Sequence, residues 1–262
     1  MHRSAPRLSR ILACAAVPVM LVAAGCSSDS DSGKDSDTPS ATSTLGSPSQ
    51  DRVEPAKFAA LPEPCASISQ KTVKDLVPKA KNKSGTSGHS SDVTARGGCS
   101  WNGLDDNGIK GSQYRWLDVA FTRFESDQAL GSGAKRATDD YTKQVAKAQA
   151  AEGAKNVAAK PVAGTGEQAT AITYDLTKTK EDFRYATIVA RTGNVVVTLN
   201  YNGAGYAGAK TPSADGILKD AEKAAKEAVA AVATAGTSPS PATGKTSAKP
   251  SASASAKADD NS

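Results

Sequence analysis

Hydrophobic and polar residues alternate at every second position in several stretches of the middle of the chain. These stretches are residues 114–124, 169–176 and 183–190, and a run rich in β-branched residues follows at 195–201. In the first, Leu117, Val119 and Phe121 alternate with polar or small neighbours. A period of two is typical of a β-strand with one buried face. Because the turn Thr-Gly-Asn at 192–194 separates the stretch at 183–190 from the run at 195–201, we expect the two to form a hairpin.

A period of three to four predicts helices in other segments. The first helix follows Ser69, its expected N-cap. Ile68 and Val73 flank that cap as a hydrophobic staple, and Pro78 ends the helix. The second helix is predicted at 134–151. Its apolar face consists of Ala137, Tyr141, Val145 and Ala148.

A third helix is predicted near the end of the chain. Pro212 stands at its expected first helical position, and Gly236 stops it. Its apolar stripe consists of Ile217, Leu218, Ala221, Ala225, Val229 and Val232. Because strands and helices occupy separate stretches without regular alternation, we expect an α+β fold. In this fold a curved antiparallel sheet is packed by two or three helices.

The segments between these elements are polar. Residues 79–96 are rich in Gly, Ser and Lys, which predicts a mobile loop that contains His89. Residues 105–108 read Asp-Asp-Asn-Gly and predict a turn. A calcium loop would need carboxylates at wider spacing, so we do not expect calcium there.

The N-terminus has the pattern of a lipoprotein signal peptide. Arg3, Arg7 and Arg10 precede an apolar stretch at 11–24, which is too short for a comfortable transmembrane helix. Residues 21–26, Leu-Val-Ala-Ala-Gly-Cys, resemble a lipobox, although Ala23 stands where Leu is commoner. We therefore expect cleavage before Cys26 and lipidation of its thiol. The alternative is an ordinary signal peptide with an incidental cysteine.

Composition divides the rest of the chain. After the signal peptide at 1–25, residues 26–57 are mostly Ser, Asp, Thr, Gly and Pro, which predicts a disordered tether. Residues 58–235 form the expected folded domain, and 236–262 a disordered Ser/Pro/Ala/Lys-rich tail. Two lipid chains on one cysteine, including an acyl chain such as palmitate, would anchor the protein durably. The predicted location is the extracytoplasmic face of the cell membrane.

The charge balance argues against nucleic acid as a partner. The chain has a formal net charge of +5, with 32 basic and 27 acidic side chains, and three of the basic ones leave with the signal peptide. A nucleic-acid-binding domain usually carries a strongly basic face. Lys79, Lys81 and Lys83 do cluster. A solvated surface is our main interpretation of this cluster, and a polyanion site is the alternative.

The four cysteines have separate expected fates. Cys14 leaves with the signal peptide and Cys26 takes the lipid, which leaves Cys65 and Cys99. In an oxidising compartment such a pair is expected to form a disulfide. Closing that loop would stabilise the domain by about 3–4 kcal/mol. The alternative is a redox-active or metal-binding pair. It lacks C-x-x-C spacing, and His89 is the one histidine left after processing.

No catalytic, cofactor-binding or metal-binding residue is predicted. Residues 164–169, Gly-Thr-Gly-Glu-Gln-Ala, match a dinucleotide-binding pattern, but that motif needs a strand before it and a helix after it. A tight turn into a strand is the preferred interpretation. Asp139, Asp140 and Asp175 are scattered along the sequence. Tyr201 and Tyr206 suggest either a surface loop capped by aromatic residues or a ligand-contacting loop.

Several short motifs occur together in this order. They are Pro-Cys at 64–65, Gly-Cys-Ser-Trp at 98–101, the segment at 164–169 and Gly-Asn-Val-Val-Val at 193–197. With the lipobox, they resemble the DUF3558 family of actinobacterial lipoproteins over residues 58–235. The resemblance implies a cell-envelope location, a disulfide equivalent to Cys65–Cys99 and an α+β fold. It implies no established activity. The lysine-rich loop and the long tail depart from the family pattern.

These observations lead to three functional hypotheses. The first is a non-enzymatic module of the cell envelope that binds a small ligand or a partner protein. The second is an accessory or sensory subunit of an envelope transporter or cell-wall enzyme complex. The third, a cell-wall hydrolase, is the least favoured because no catalytic constellation is visible.

Overall fold

The computed structural model describes residues 53–236. Its strands are β1 (Thr86–Ser87), β2 (Arg96–Asp105), β3 (Ser112–Arg123), β4 (Lys155–Pro161), β5 (Gln168–Lys178), β6 (Glu181–Thr192) and β7 (Val195–Tyr206). Its helices are α1 (Gln70–Leu76), α2 (Gly133–Gln149) and α3 (Ala214–Gly236). The predicted signal peptide, the lipid on Cys26, most of the tether and nearly all of the tail lie outside the described residues.

The strands form one antiparallel sheet in the order β1-β2-β3-β7-β6-β5-β4. Five pairs of strands that follow each other in the described chain, β1–β2, β2–β3, β4–β5, β5–β6 and β6–β7, are also neighbours in the sheet. The central pair, β3 and β7, joins distant parts of the chain over twelve residues on each strand. Three helices pack on this sheet. The predicted α+β fold with an antiparallel sheet is therefore confirmed.

The four predicted strands are present as β3, β5, β6 and β7. Three further strands were not predicted. In β2, Gly97, Gly98 and Gly103 interrupt the hydrophobic pattern, and in β4 every residue is exposed. β1 lies within the predicted mobile loop, where Thr86 and Ser87 pair with β2. The loop prediction is thus wrong for these residues, because pairing with β2 satisfies their backbone.

The helices follow the predicted patterns with one correction. The Ser69 side chain accepts a hydrogen bond from the backbone N–H of Thr72, as expected of an N-cap. The last helix begins at Ala214 and not at Pro212. The Ser213 hydroxyl accepts a hydrogen bond from the Gly216 N–H at 3.2 Å. Ser213 therefore caps the helix, and Pro212 lies outside it.

Helices cover the two sides of the sheet unequally. We call the side covered by α1 and α3 the core face, and the side that bears α2 the open face. The core face carries most of the buried apolar residues, including Leu117, Ile188 and Leu199, which are fully buried. On the open face, a smaller cluster forms where Ala137 of α2 meets the sheet. Its other buried members are Ile172, Val189 and Val196.

A disulfide and a buried asparagine are among the contacts that attach the N-terminal segment to the sheet. Cys65 and Cys99 form a disulfide, with their Cα atoms 5.1 Å apart, so the predicted disulfide is confirmed. Asn194 is fully buried in the β6–β7 turn. Its amide nitrogen donates to the carbonyls of Phe58 and Phe124, and its oxygen accepts from the Phe58 N–H. Within residues 53–236, no helix is both long enough and apolar enough to cross a lipid bilayer.

Candidate ligand-binding cleft

The open face of the sheet is only partly covered. α2 packs over one end of the central strands, where the small cluster around Ala137 lies. Toward the other end, alternate side chains of β3, β7, β6 and β5 line a cleft of about 640 Å³. A second cavity of about 370 Å³ adjoins it beside the end of α2, and the two share Tyr174 and Asn200. Volumes of this size suit small organic ligands.

Aromatic side chains dominate the cleft. They are Tyr114, Trp116, Tyr174, Phe183, Tyr185 and Tyr206. The chain has only four Phe, six Tyr and two Trp, so half of its aromatic residues line this one surface. Five of the six are half-buried, and their rings remain partly accessible. This placement differs from the usual use of aromatic side chains to fill a core.

Strand register places these rings in two neighbouring rows. One row crosses four strands as Trp116, Asn202, Tyr185 and Tyr174. In the next row, Tyr114 and Phe183 stand on either side of Ala204. Because Ala204 is small, the two rings approach each other to 6.0 Å between centroids, edge to face. Residues far apart in sequence therefore form one continuous aromatic surface.

The stacked pair Tyr174 and Tyr185 marks one side of the cleft. Their rings are nearly parallel, with centroids 4.9 Å apart. Lys178 donates a hydrogen bond to the Tyr185 hydroxyl at 3.0 Å, and its Nζ lies 5.3 Å from the Tyr185 ring centroid. Offset or parallel stacking and a cation near the ring both stabilise such an arrangement. The side of the cleft formed by this pair is thus held in place by its own contacts.

Asp118 forms the polar centre of the cleft. Its two oxygens accept hydrogen bonds from Nε1 of Trp116 and Nδ2 of Asn200, each at 2.9 Å. The oxygen of Asn200 in turn accepts from the Thr187 hydroxyl at 2.7 Å. Burial raises the pKa of Asp118, and the hydrogen bonds from Asn200 and Trp116 oppose this increase. A raised pKa in a cleft is a frequent property of functional carboxyl groups.

Asn202 lies beside this network without joining it. The residue is only 6% exposed and lines the cleft. Among the residues that the structure describes, its side-chain amide forms no hydrogen bond. Neither polar atom of this amide is among the fully enclosed side-chain atoms that lack a partner, so both are open to the cleft. A ligand in the cleft would find both a donor and an acceptor there.

The structure separates the two tyrosines that were predicted to lie in or cap one loop. Both belong to β7, so the loop prediction is wrong. Tyr201 points to the core face, where its hydroxyl donates to the carbonyl of Leu76 at 2.8 Å. Burial raises the pKa of Tyr201 to about 12. Tyr206 points to the open face and lines the cleft. Gly203 and Gly205 lie between them and are more typical of a loop, so nothing in the sequence indicates that β7 continues to Tyr206.

The dinucleotide-like segment at 164–169 is a turn into a strand, as predicted. Gly164 and Gly166 have positive φ angles of 68° and 70°, and β5 begins at Gln168. Glu167 pairs with Lys57 at 3.1 Å and with Arg191 at 2.9 Å. Its side chain also accepts the Gly193 N–H at 3.0 Å. These contacts attach the turn to the neighbouring turn and to the N-terminal segment.

The other residues considered for chemistry lie apart. His89 is exposed. Asp139 pairs with Lys135 on α2 at 2.8 Å, and Asp175 pairs with Arg184 on the neighbouring strand. Lys79 of the lysine cluster lies 3.8 Å from Asp105. Within residues 53–236, no group of three or more His, Cys, Asp or Glu side chains could hold a metal ion.

The cleft is absent from the predictions made from sequence, although the sequence contains a signal of it. On a half-exposed strand the outward positions are usually polar and small or charged. Here Trp116, Tyr174 and Tyr185 occupy the side opposite the core face. Large aromatic residues on the outward side of three predicted strands indicate a surface that binds something. Asp118, Asn200 and Asn202 join this surface through register alone.

Comparisons with known proteins identified no relative of this protein. No protein-family model, no curated protein and no solved structure matches the sequence. The resemblance to DUF3558 lipoproteins therefore stays a prediction.

Proposed function

We propose that this protein is a non-enzymatic binding module of the cell envelope, which holds a small organic ligand in the cleft on its open face. One observation carries the proposal: half of the aromatic residues of the chain line this cleft, and five of these six rings stay partly accessible. An exposed aromatic ring gains free energy when a ligand removes it from water, at about 25 cal/mol per Å² of apolar surface. Concave aromatic surfaces with a few polar groups are typical of ligand sites.

The polar groups of the cleft support the same function. The chain of hydrogen bonds from Thr187 through Asn200 to Asp118 holds these side chains in one arrangement before any ligand binds. Preorganisation of this kind lowers the entropy lost on binding. Asn202 retains its donor and acceptor for a ligand. The cleft thus combines apolar area for affinity with oriented polar groups for selectivity.

The proposed location rests on residues 1–26 and on the disulfide. A stable bond between Cys65 and Cys99 suits an oxidising, extracytoplasmic compartment. The lipobox-like segment supplies Cys26 as the lipid attachment site. Replacing Cys26 with Ala is expected to abolish incorporation of labelled palmitate and to move the protein out of the membrane fraction. Replacing Cys14 with Ala is the matched control and is expected to leave both unchanged.

We favour binding over hydrolysis because of what surrounds Asp118. Glycoside hydrolysis generally uses two carboxyl groups on either side of the scissile bond. Among the described residues that line the larger cavity, Asp118 is the one carboxylate, and it is held by Trp116 and Asn200. Cleavage of a cell-wall polymer that depends on Asp118 would contradict the non-enzymatic proposal.

Trp116 makes the proposal directly testable. The other tryptophan, Trp101, is 1% exposed in the core, so a ligand in the cleft should change the fluorescence of Trp116 alone. We would titrate the disulfide-bonded protein with a panel of saccharides, nucleosides, amino acids and alkylammonium compounds. We expect a saturable fluorescence change with at least one class, and its loss in Trp116→Phe.

A matched pair of variants locates the site. Tyr185→Ala is expected to weaken binding, because it removes one of the stacked rings of the cleft. Tyr141→Phe is the control, since the Tyr141 hydroxyl bonds Thr170 at 2.7 Å beneath α2 and does not line the larger cavity. Binding that survives Tyr185→Ala with unchanged affinity would place the ligand elsewhere.

A further inference from the structure

Within residues 53–236, Asp118 forms no ion pair, because Lys178, the basic residue that lines the same cleft, bonds the Tyr185 hydroxyl instead. Its oxygens accept hydrogen bonds from two neutral groups, the Trp116 indole and the Asn200 amide. By contrast, two half-buried carboxylates of the same sheet, Asp105 and Asp175, have the basic partners Lys79 and Arg184. Hydrogen bonds from neutral donors only partly offset the loss of water around a charge.

The surroundings of Asp118 suit a positive charge. Trp116 and Tyr174 lie in the adjoining row of the sheet, and Tyr114 and Tyr206 follow beyond them. Aromatic faces attract cations through their quadrupoles, and clusters of such rings recognise alkylammonium groups. Lys178 already lies over one ring of this cleft, that of Tyr185. The rings therefore complement the carboxylate and do not oppose it.

A neutral ligand would satisfy only part of this arrangement. A saccharide could stack on the rings and bond Asn202, but its hydroxyl groups would leave the Asp118 charge unbalanced. An anionic ligand would meet the carboxylate directly. A cation fits the rings and the carboxylate together.

We infer that the cleft binds a small organic cation of the alkylammonium class, with its positive nitrogen beside Asp118 and its carbon atoms against the surrounding rings. This inference rests on the proposed binding function and specifies the ligand class of the same site. Asn202 lies in register beside Trp116 and takes the polar end of the ligand.

Choline and its neutral carbon analogue 3,3-dimethyl-1-butanol test this inference on the unaltered protein. The two molecules have nearly the same shape and the same hydroxyl group, and they differ in charge. With Trp116 fluorescence as the readout, choline is expected to bind about tenfold more tightly, or better, than the neutral analogue. Equal affinities, or no binding of choline, would overturn the inference.

Three variants identify the residues responsible. Asp118→Asn preserves the shape of the side chain and is expected to weaken choline about tenfold while it leaves the neutral analogue unaffected. Asp139→Asn, on the exposed side of α2, is the matched control and should change neither. Lys178→Met removes a competing positive charge and is expected to tighten choline binding. Choline affinity that is unchanged in Asp118→Asn would contradict the assignment of Asp118.

Different results would contradict the cation inference and the proposed binding function. If saccharides or other neutral ligands bind and are lost in Tyr185→Ala, while choline does not bind, the cleft is a binding site for another class. If no compound of the panel changes Trp116 fluorescence, both the inference and the proposed function fail.

Discussion

The two faces of the sheet use large side chains in opposite ways. On the core face, Leu117, Ile188 and Leu199 are fully buried under α1 and α3. On the open face, α2 covers one end, and rings such as Trp116 and Tyr185 remain half-exposed at the other. The same strands supply both faces, since successive side chains of a strand point to opposite sides. One face provides stability, and the other keeps apolar surface available for a partner.

Substitutions on the two faces of β6 are expected to differ most in the stability that they cost. Ile188→Ala on the core face of β6 is expected to lower the free energy of unfolding by about 2–5 kcal/mol, because it leaves a cavity in a closed core. Tyr185→Ala, three residues earlier on the open face, removes a ring that is already half in water and should cost clearly less. Urea denaturation of both variants measures the difference. Equal losses would show that the open face also carries the fold.

The disulfide belongs to the core face and gives the next effect. Replacing both Cys65 and Cys99 with Ser is expected to lower the free energy of unfolding by about 3–4 kcal/mol, through the freedom regained by the unfolded chain. Binding at the open face should persist wherever the double variant remains folded. Thermal melts and choline titrations at low temperature check the two parts. A lost site in a folded variant would contradict the separation of the faces.

Two asparagines, one just before β7 and one within it, are expected to differ in their contribution to stability. Asn194→Ala leaves three backbone groups of Phe58 and Phe124 without partners and is expected to cost about 1–3 kcal/mol, or more. Asn202→Ala breaks no side-chain hydrogen bond among the described residues, so stability should change little while ligand binding weakens. Chemical denaturation and ligand titration of both variants provide the test. A large loss of stability in Asn202→Ala would assign it a structural role.

The smallest expected effect concerns the pH dependence of stability. Burial raises the pKa of Asp118 in the folded state above its value in the unfolded chain. The folded state therefore holds the proton more tightly, and stability falls as pH rises from the unfolded pKa through the folded one. Asp118→Asn removes this dependence. The free energy of unfolding of the variant, relative to that of the wild type, should therefore increase from acidic to neutral pH. Urea denaturation midpoints of both proteins across that range measure this.

If the wild type instead becomes more stable relative to the Asp118→Asn variant as pH rises, the predicted direction is wrong. Carboxylates with lowered pKa, such as Glu167 and Glu227, shift the stability of both proteins in the opposite direction. Their contribution cancels in the difference between wild type and variant. A variant that is more stable but binds choline less well would identify Asp118 as a residue kept for binding at some cost to stability.

Strong periodicity made the long elements predictable from sequence. The alternation in β3, β5 and β6 and the β-branched run of β7 predicted these strands, although the middles of β6 and β7 are buried on both faces. The apolar stripes of α2 and α3 predicted the two helices, because each helix buries one side. β2 and β4 were not predictable. Glycines interrupt the first, and the second lies at the sheet edge with all of its residues exposed, so neither has a clear pattern. Their backbone pairing depends on neighbours that are distant in sequence.

The α+β class, the cysteine pair and the positions of most helices and strands follow from the sequence, because local periodicity and covalent chemistry can be recognised one segment at a time. The cleft, in contrast, exists only in the folded protein. Trp116, Tyr185 and Tyr174 lie in one row because β3, β7, β6 and β5 pair in a particular register. A shift of one residue would send each side chain to the opposite face. Register between distant strands results from cooperative packing of the core, which no single segment encodes.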